Sequence, residues 1–252
     1  MFHRQTGTPH LGAPSVSRRH LERLRQGEAV PEAWLEREKA RLSELWSEAR
    51  KHFPGWVVGC DEVGRGPMAG PLVAAAAACR EEVFLPGLND SKKLTPEERE
   101  SLADQILRSP IQIGVALISV DEISRGNLHR LSLQAMHRAV KELHVRPRFT
   151  LIDGRYPLPE LKTPQLAVVG GDRRHALIAA ASIVAKVTRD RLMRELAETF
   201  PGYGWERNVG YPTAEHQEAL LRLGITPHHR RNYRPVKALL PRQLLLEESS
   251  PS

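Results

Sequence analysis

Cysteine is scarce in this chain of 252 residues: Cys60 and Cys79 are the only two, each inside an apolar run and without the paired spacing of a disulfide framework or a zinc site. That usage predicts a reducing cytoplasm. Long hydrophobic runs are missing as well. The longest, Leu72 to Cys79, falls far short of the roughly 20 apolar residues that span a bilayer, so no membrane partner is expected. The N-terminus has no compact apolar core of a secretion signal, and no internal repeat appears. Acidic residues are the minority charge, 30 against 37 Lys and Arg, for a net charge of +7. The excess favours phosphate-bearing partners, although spread over the whole chain it does not by itself make a patch. What is abundant is apolar side chain, 40% of residues, enough for one sizeable core with a tail or small second lobe.

Three regions are expected. Residues 1–53 form an extension, flexible to about residue 30 and then one amphipathic helix over 31–53, with Trp34, Leu35, Leu42, Leu45 and Trp46 at helical spacing. Residues 54–240 carry the main domain, and 241–252 a flexible tail. Within the main domain Trp56 to Cys60 and Pro71 to Cys79 read as strands around the glycine-rich DEVGRGPMAG, a hairpin-like opening. Thr95, Pro96 and Glu98 mark a helix start with a capping box, running to Ser109. Ile111 to Val120 reads as a strand, Leu128 to Leu143 as a helix, and Phe149 to Ile152 and Gln165 to Val169 as short strands. Ala176 to Phe200 begins with small, closely packing residues and turns amphipathic, and a last helix runs from the Thr213 cap to Gly224. HHRRNYRPVK follows as a basic strip containing an aromatic residue. Strands and helices in mixed order indicate an α/β layer protein.

Three acids stand at or just past apolar strand ends: Asp61 after VVGC, Asp153 after FTLI, and Asp172 two glycines beyond LAVV, with Glu62 directly after Asp61. Sheets of this class place ligands at strand ends. Neighbouring strand residues face opposite ways, so Asp61 and Glu62 share one site only if the strand kinks or ends there, which Gly64 and Gly66 permit. Convergent carboxylates repel and call for a cation. All-oxygen ligands favour Mg2+ or Mn2+ over Zn2+, and a pair of such ions is a recurrent device for phosphodiester hydrolysis. The competing interpretation is that each Asp before Gly is an ordinary turn residue.

The segments GCDEVGRGPMAGPLVAAA, DSKKLT, LIDG, GGD, IAAASIVAKVTRDR and GYPT occur in the order found in ribonuclease HII, and the chain resembles that family from about Gly55 to Tyr233. The resemblance implies a ribonuclease H-like mixed β-sheet flanked by helices, with a helical C-terminal portion. It also implies a metal-dependent endoribonuclease that cuts the RNA strand of RNA/DNA hybrids and cleaves 5' of single ribonucleotides in duplex DNA, leaving 3'-OH and 5'-phosphate ends. Asp61, Glu62, Asp153 and Asp172 match the family's metal-binding acids, which hold two ions during catalysis. Gly64, Arg65 and Gly66 match a GRG motif whose backbone approaches the 2'-OH and adjacent phosphate, where a side chain would intrude. Tyr211 matches a tyrosine that stacks on the neighbouring deoxyribose. Lys92, Lys93 and Lys186 fall on motifs whose lysines approach phosphates, or else are solvated surface charges.

Other residues carry open alternatives. Arg189 and Asp190 read as a helix-face ion pair, Ser182 as a packing residue, and His216 as either a helix brace or a substrate contact. Cys60 replaces an aliphatic residue, GGDRRH moves the basic residues to the far side of Asp172, and HRRNY stands for HRRSF. The region before Pro31 has no recognised counterpart. A monomer is expected. A non-catalytic binder is disfavoured because it gains nothing from acids facing phosphate, and the related ribonuclease HIII because its folded N-terminal domain is larger than the extension here.

Overall fold

The computed structural model describes residues 32, 33, 36, 37, 40, 52–83, 85–88 and 94–240. Its centre is one five-stranded mixed sheet in the order β3-β2-β1-β4-β5. The strands are β1 (Trp56–Val63), β2 (Leu72–Cys79), β3 (Gln112–Ile118), β4 (Pro147–Asp153) and β5 (Gln165–Val168). β1, β2 and β3 pair antiparallel, whereas β1–β4 and β4–β5 are parallel. The expected opening hairpin is therefore present, at the middle of the sheet rather than its edge.

Period-2 alternation divides the apolar residues between two cores. Val57, Val73, Ala75 and Ala77 face one, with helices α1 (Pro96–Arg108) and α4 (Ala176–Thr199). Val58, Cys60, Ala74 and Ala76 face the other, against α3 (Leu128–Lys141). β2 is buried along its whole length, as strands covered on both faces must be. Small residues set the depth of packing. A Cβ on Gly59 would lie 2.4 Å from the Ile178 amide nitrogen, so only glycine lets the first turns of α4 rest on β1.

The helix starts obey local chemistry. Thr95 and Glu98 close the expected capping box of α1, and Thr213 caps α6 (Ala214–Leu223). The strand expected through Val120 is shorter. Ser119 accepts from the Glu122 amide and Glu122 returns a bond to the Ser119 backbone, so Val120 opens a short helix, α2 (Val120–Arg125), instead. α5 (Trp205–Asn208), α6 and α7 (Arg234–Lys237) build the helical C-terminal portion around small cores that include Met68, Met193, Trp205 and Val236.

Trp34, Leu35, Leu42, Leu45 and Trp46 of the expected N-terminal helix, and the tail 241–252, lie outside the described residues. At the edge of that region Phe53 stacks on Phe149 of β4, ring centroids 4.6 Å apart.

Candidate active site

β1 and β4 stay paired as far as Cys60 opposite Ile152, and the next residue on each strand is an acid, Asp61 and Asp153. β5 ends one step later at Val168, opposite Asp153. Gly170 then takes a left-handed conformation at φ 63°, and a 3-10 turn (Gly171–Arg173) brings Asp172 back to the same end of the sheet. The turn is tied down, because Asp153 Oδ1 accepts from the Gly171 amide at 2.8 Å.

Asp61 lies on the α4 face of β1, as Gly59 does, and one turn beyond Ile178 it meets Ser182, whose hydroxyl bonds the carboxylate. The assignment of Ser182 to packing alone is thereby overturned. Its signal was in the sequence, since a glycine two residues before Asp61 marks where the helix comes closest. Glu62 does reach the cluster, but not by the expected route: β1 neither kinks nor ends, and its register with β2 runs unbroken to Val63. Convergence instead follows from β4 parting from β1 after Cys60, which leaves both side chains of β1's last turn within the field of Asp153.

The electrostatics are those of excess negative charge. Burial pushes the Asp61 carboxyl well above the ordinary range, and the charges of Asp153, Glu62 and Asp172 add to it. Burial likewise raises Glu62 to about 7, against the opposing pull of Arg65, whose Nη1 is 3.6 Å from Glu62 Oε1. Among the described residues no three His, Cys, Asp or Glu side chains stand in ready-made metal-ligand geometry. Their oxygens are turned to protein donors: Asp61 Oδ1 accepts from the Glu62 amide at 2.7 Å, and Asp153 from Gly171. Oxygen donors in this number fit a hard divalent ion.

Beside the acids, the loop from Gly64 to Pro71 is held by two arginines that are 0% exposed. Arg189 donates to the carbonyls of Pro71, Ala69 and Val209 at 2.9, 3.0 and 2.9 Å. Arg230 donates to Gly64, Gly70 and Arg65 at 2.6, 2.9 and 3.2 Å. Arg189 is thus not half of an ion pair with Asp190, which instead binds Lys186 Nζ at 2.7 Å. Within the basic strip 228–237, His229 and Arg230 are buried. Burial lowers both guanidinium groups, Arg189 to about 10. The Gly64 φ of +95° and the 2.4 Å that would separate its Cβ from Arg189 Nε account for that glycine without any substrate.

Gly66 and Tyr211 are brought together, a Cβ on Gly66 falling 3.2 Å from the Tyr211 ring, which is itself 41% exposed. His216 braces: its Nδ1 bonds the Tyr211 carbonyl at 2.9 Å, and Trp205 Nε1 donates to its Nε2. Lys186 is engaged by Asp190, and Lys92 and Lys93 lie outside the described residues. Nothing local in the sequence marked Arg230, because its carbonyl partners lie in a loop far along the chain.

The family model for ribonuclease HII matches residues 58–236. A ribonuclease HII of Ruegeria pomeroyi is 54% identical over 184 residues, 73% of this chain and 78% of that protein. A ribonuclease HII of Geobacillus kaustophilus is 42% identical over 247 residues, 92% of this chain and 93% of that protein, so at least part of the region ahead of Pro31 has a counterpart there. The crystal structure of ribonuclease H2 from Pyrococcus horikoshii superposes with a TM-score of 0.64 at 28% identity, covering 73% of this chain and 96% of that one.

Proposed function

Since this chain belongs to the ribonuclease HII family and is a metal-dependent endoribonuclease, we propose that it cleaves RNA/DNA hybrids and also cuts 5' of single ribonucleotides in duplex DNA, leaving 3'-OH and 5'-phosphate ends. The observation that carries this is the convergence of Asp61, Glu62, Asp153 and Asp172 at one end of the sheet, with Asp61 and Glu62 held above their ordinary range.

In this account the four carboxylates hold two divalent ions, Mg2+ or Mn2+. Such ions supply Lewis acidity to the scissile phosphate and offset the charge that builds on it. The protein's own contribution is positional. Ser182 and the Glu62 amide fix the Asp61 carboxylate, the Gly171 amide fixes Asp153, and the turn at Gly170 aims Asp172. Arg65 sits between Glu62 and the exposed rim, where its guanidinium is available to a phosphate. The backbone of Gly64, Arg65 and Gly66 faces the ribose 2'-OH, the group that separates RNA from DNA at a given nucleotide. Tyr211, across from Gly66, stacks on the following deoxyribose and so favours a ribonucleotide followed by DNA. Lys92, Lys93 and Lys186 serve the phosphate backbone, with Lys186 exchanging Asp190 for substrate. The catalytic domain of 54–240 works as a monomer in the cytoplasm, and the described helices include none long and apolar enough to cross a membrane.

Asp61→Asn tests the assignment. Cleavage of a duplex with one ribonucleotide should fall on the order of a thousandfold or more, with duplex affinity kept or improved. Failure of the metal-replete wild-type protein to cut that duplex would refute the reading.

A further inference from the structure

Outside the carboxylate cluster, a network of buried polar side chains lies where residues 228–230 cross the loop before β2. Ala69 and His229 form an antiparallel bridge, flanked by bonds from the Gly70 amide to the His228 carbonyl and from the Arg230 amide to the Met68 carbonyl, both 2.9 Å. His229 and Arg230, consecutive in extended backbone, point opposite ways. Both are buried, at 1% and 0% exposure.

Arg230 takes the GRG side, with its bonds to the carbonyls of Gly64, Arg65 and Gly70. Tyr233, whose hydroxyl also bonds the Arg65 carbonyl, lies under its guanidinium. His229 takes the Tyr211 side. Its Nδ1 receives the Thr226 amide proton at 3.0 Å, so its proton resides on Nε2, 3.2 Å from His216 Nε2. His216 in turn must carry its proton on Nδ1, because the Tyr211 carbonyl opposite can only accept. Both rings are therefore neutral, and His216 Nε2, which takes the Trp205 indole N–H at 2.9 Å, also faces the His229 N–H at 3.2 Å, so the network joins Thr226 and His229 to Tyr211 through His216. The segment that receives it is strained and anchored: Val209 sits at φ 42°, costly for a β-branched residue, and the Met68 amide holds the Gly210 carbonyl at 2.9 Å.

We propose that His229 and Arg230 form a positioning hub that fixes the Tyr211 ring against the Gly66 backbone and thereby sets the preference for a ribonucleotide followed by DNA over continuous RNA. This rests on the roles given above to the GRG loop and Tyr211. Neither hub residue touches substrate; each acts through carbonyls that orient the groups which do. Two segments distant in sequence must meet with sub-ångström accuracy to grip one junction, and a buried dipeptide with a partner on each side supplies that.

The test compares kcat/KM on a duplex with one embedded ribonucleotide and on a duplex with a continuous ribonucleotide run, for Arg230→Lys, His229→Gln and Tyr211→Ala, with folding checked by thermal melting. The ratio of single to run should fall about tenfold in each hub variant, chiefly through kcat, since displacement of a gripping group slows chemistry more than it weakens duplex affinity. Thr226→Val, a half-buried and milder change at the head of the same chain, gives a smaller fall in the same direction and stands in if a hub variant does not fold. If Tyr211→Ala lowers the ratio while folded hub variants lose activity on both substrates equally, or not at all, the hub is refuted and the Tyr211 reading survives. If Tyr211→Ala leaves the ratio unchanged, the junction reading fails and takes the hub with it.

Discussion

The two ends of the candidate site handle buried charge in opposite ways. At the sheet end, Asp61, Glu62, Asp153 and Asp172 crowd like charges together, and burial plus mutual repulsion pushes Asp61 and Glu62 upward. In the neighbouring loop, Arg189 and Arg230 are just as deeply buried, yet six backbone carbonyls take up their donors. The first arrangement leaves charge available for a cation and a phosphate; the second consumes it in shape. The lesson is that buried charge marks chemistry where like charges crowd together, and architecture where carbonyls satisfy it.

That contrast predicts opposite responses to neutralising each end. Arg189→Met, of similar length, should lower unfolding stability by about 3 kcal/mol or more, because three carbonyls, one buried and two part-buried, lose their donor. Asp61→Asn should leave stability unchanged or slightly raised in metal-free protein, since it relieves repulsion while its carbonyl oxygen can still accept from Glu62. Urea titration of both variants decides, and equal losses would erase the distinction.

A smaller effect concerns the start of α4. His175 is fully buried, its Nδ1 accepts from the Leu177 amide to cap α4, and burial pushes it down from 6.5 to about 3. A depressed histidine stays neutral in the folded state while the unfolded chain takes up a proton. Its contribution is therefore intact above pH 6.5 and is lost as pH falls toward 3. His175→Asn keeps a capping acceptor but has no titration, so its stability should decline with acid less steeply than the wild type, by at most about 5 kcal/mol over that window. Parallel acid-stability curves would remove His175 from the account.

Legibility followed the range of the interactions. The Thr95–Glu98 capping box, the Thr213 cap and the strand-end position of Asp153 are local patterns, and they stand where the residues indicated, whereas Asp61 lies inside β1, which runs on past Cys60 to Val63. The helix from Val120 is hidden in the sequence because the apolar run of β3 continues into it, with the Ser119–Glu122 cap as its local signal. Glu62 was expected to need a bend in β1, when the opening comes from β4 parting from it; pairing partners are not written in a strand's own residues. The sequence reads Arg189 as half of a helix-face ion pair and Arg230 as part of a basic strip. Their carbonyl partners lie in a distant loop, and a carbonyl has no side-chain signature.

The central claim is that the carboxylate end is a divalent cation site and the arginine end is not. Mn2+ binding, followed by electron paramagnetic resonance in the presence of a non-cleavable hybrid duplex, tests it most directly. The wild type should bind Mn2+, Asp61→Asn and Asp153→Asn should each weaken that binding by about tenfold or more, and Tyr233→Phe, beside Arg230, should leave it unchanged. Undiminished Mn2+ binding in both aspartate variants would contradict the account.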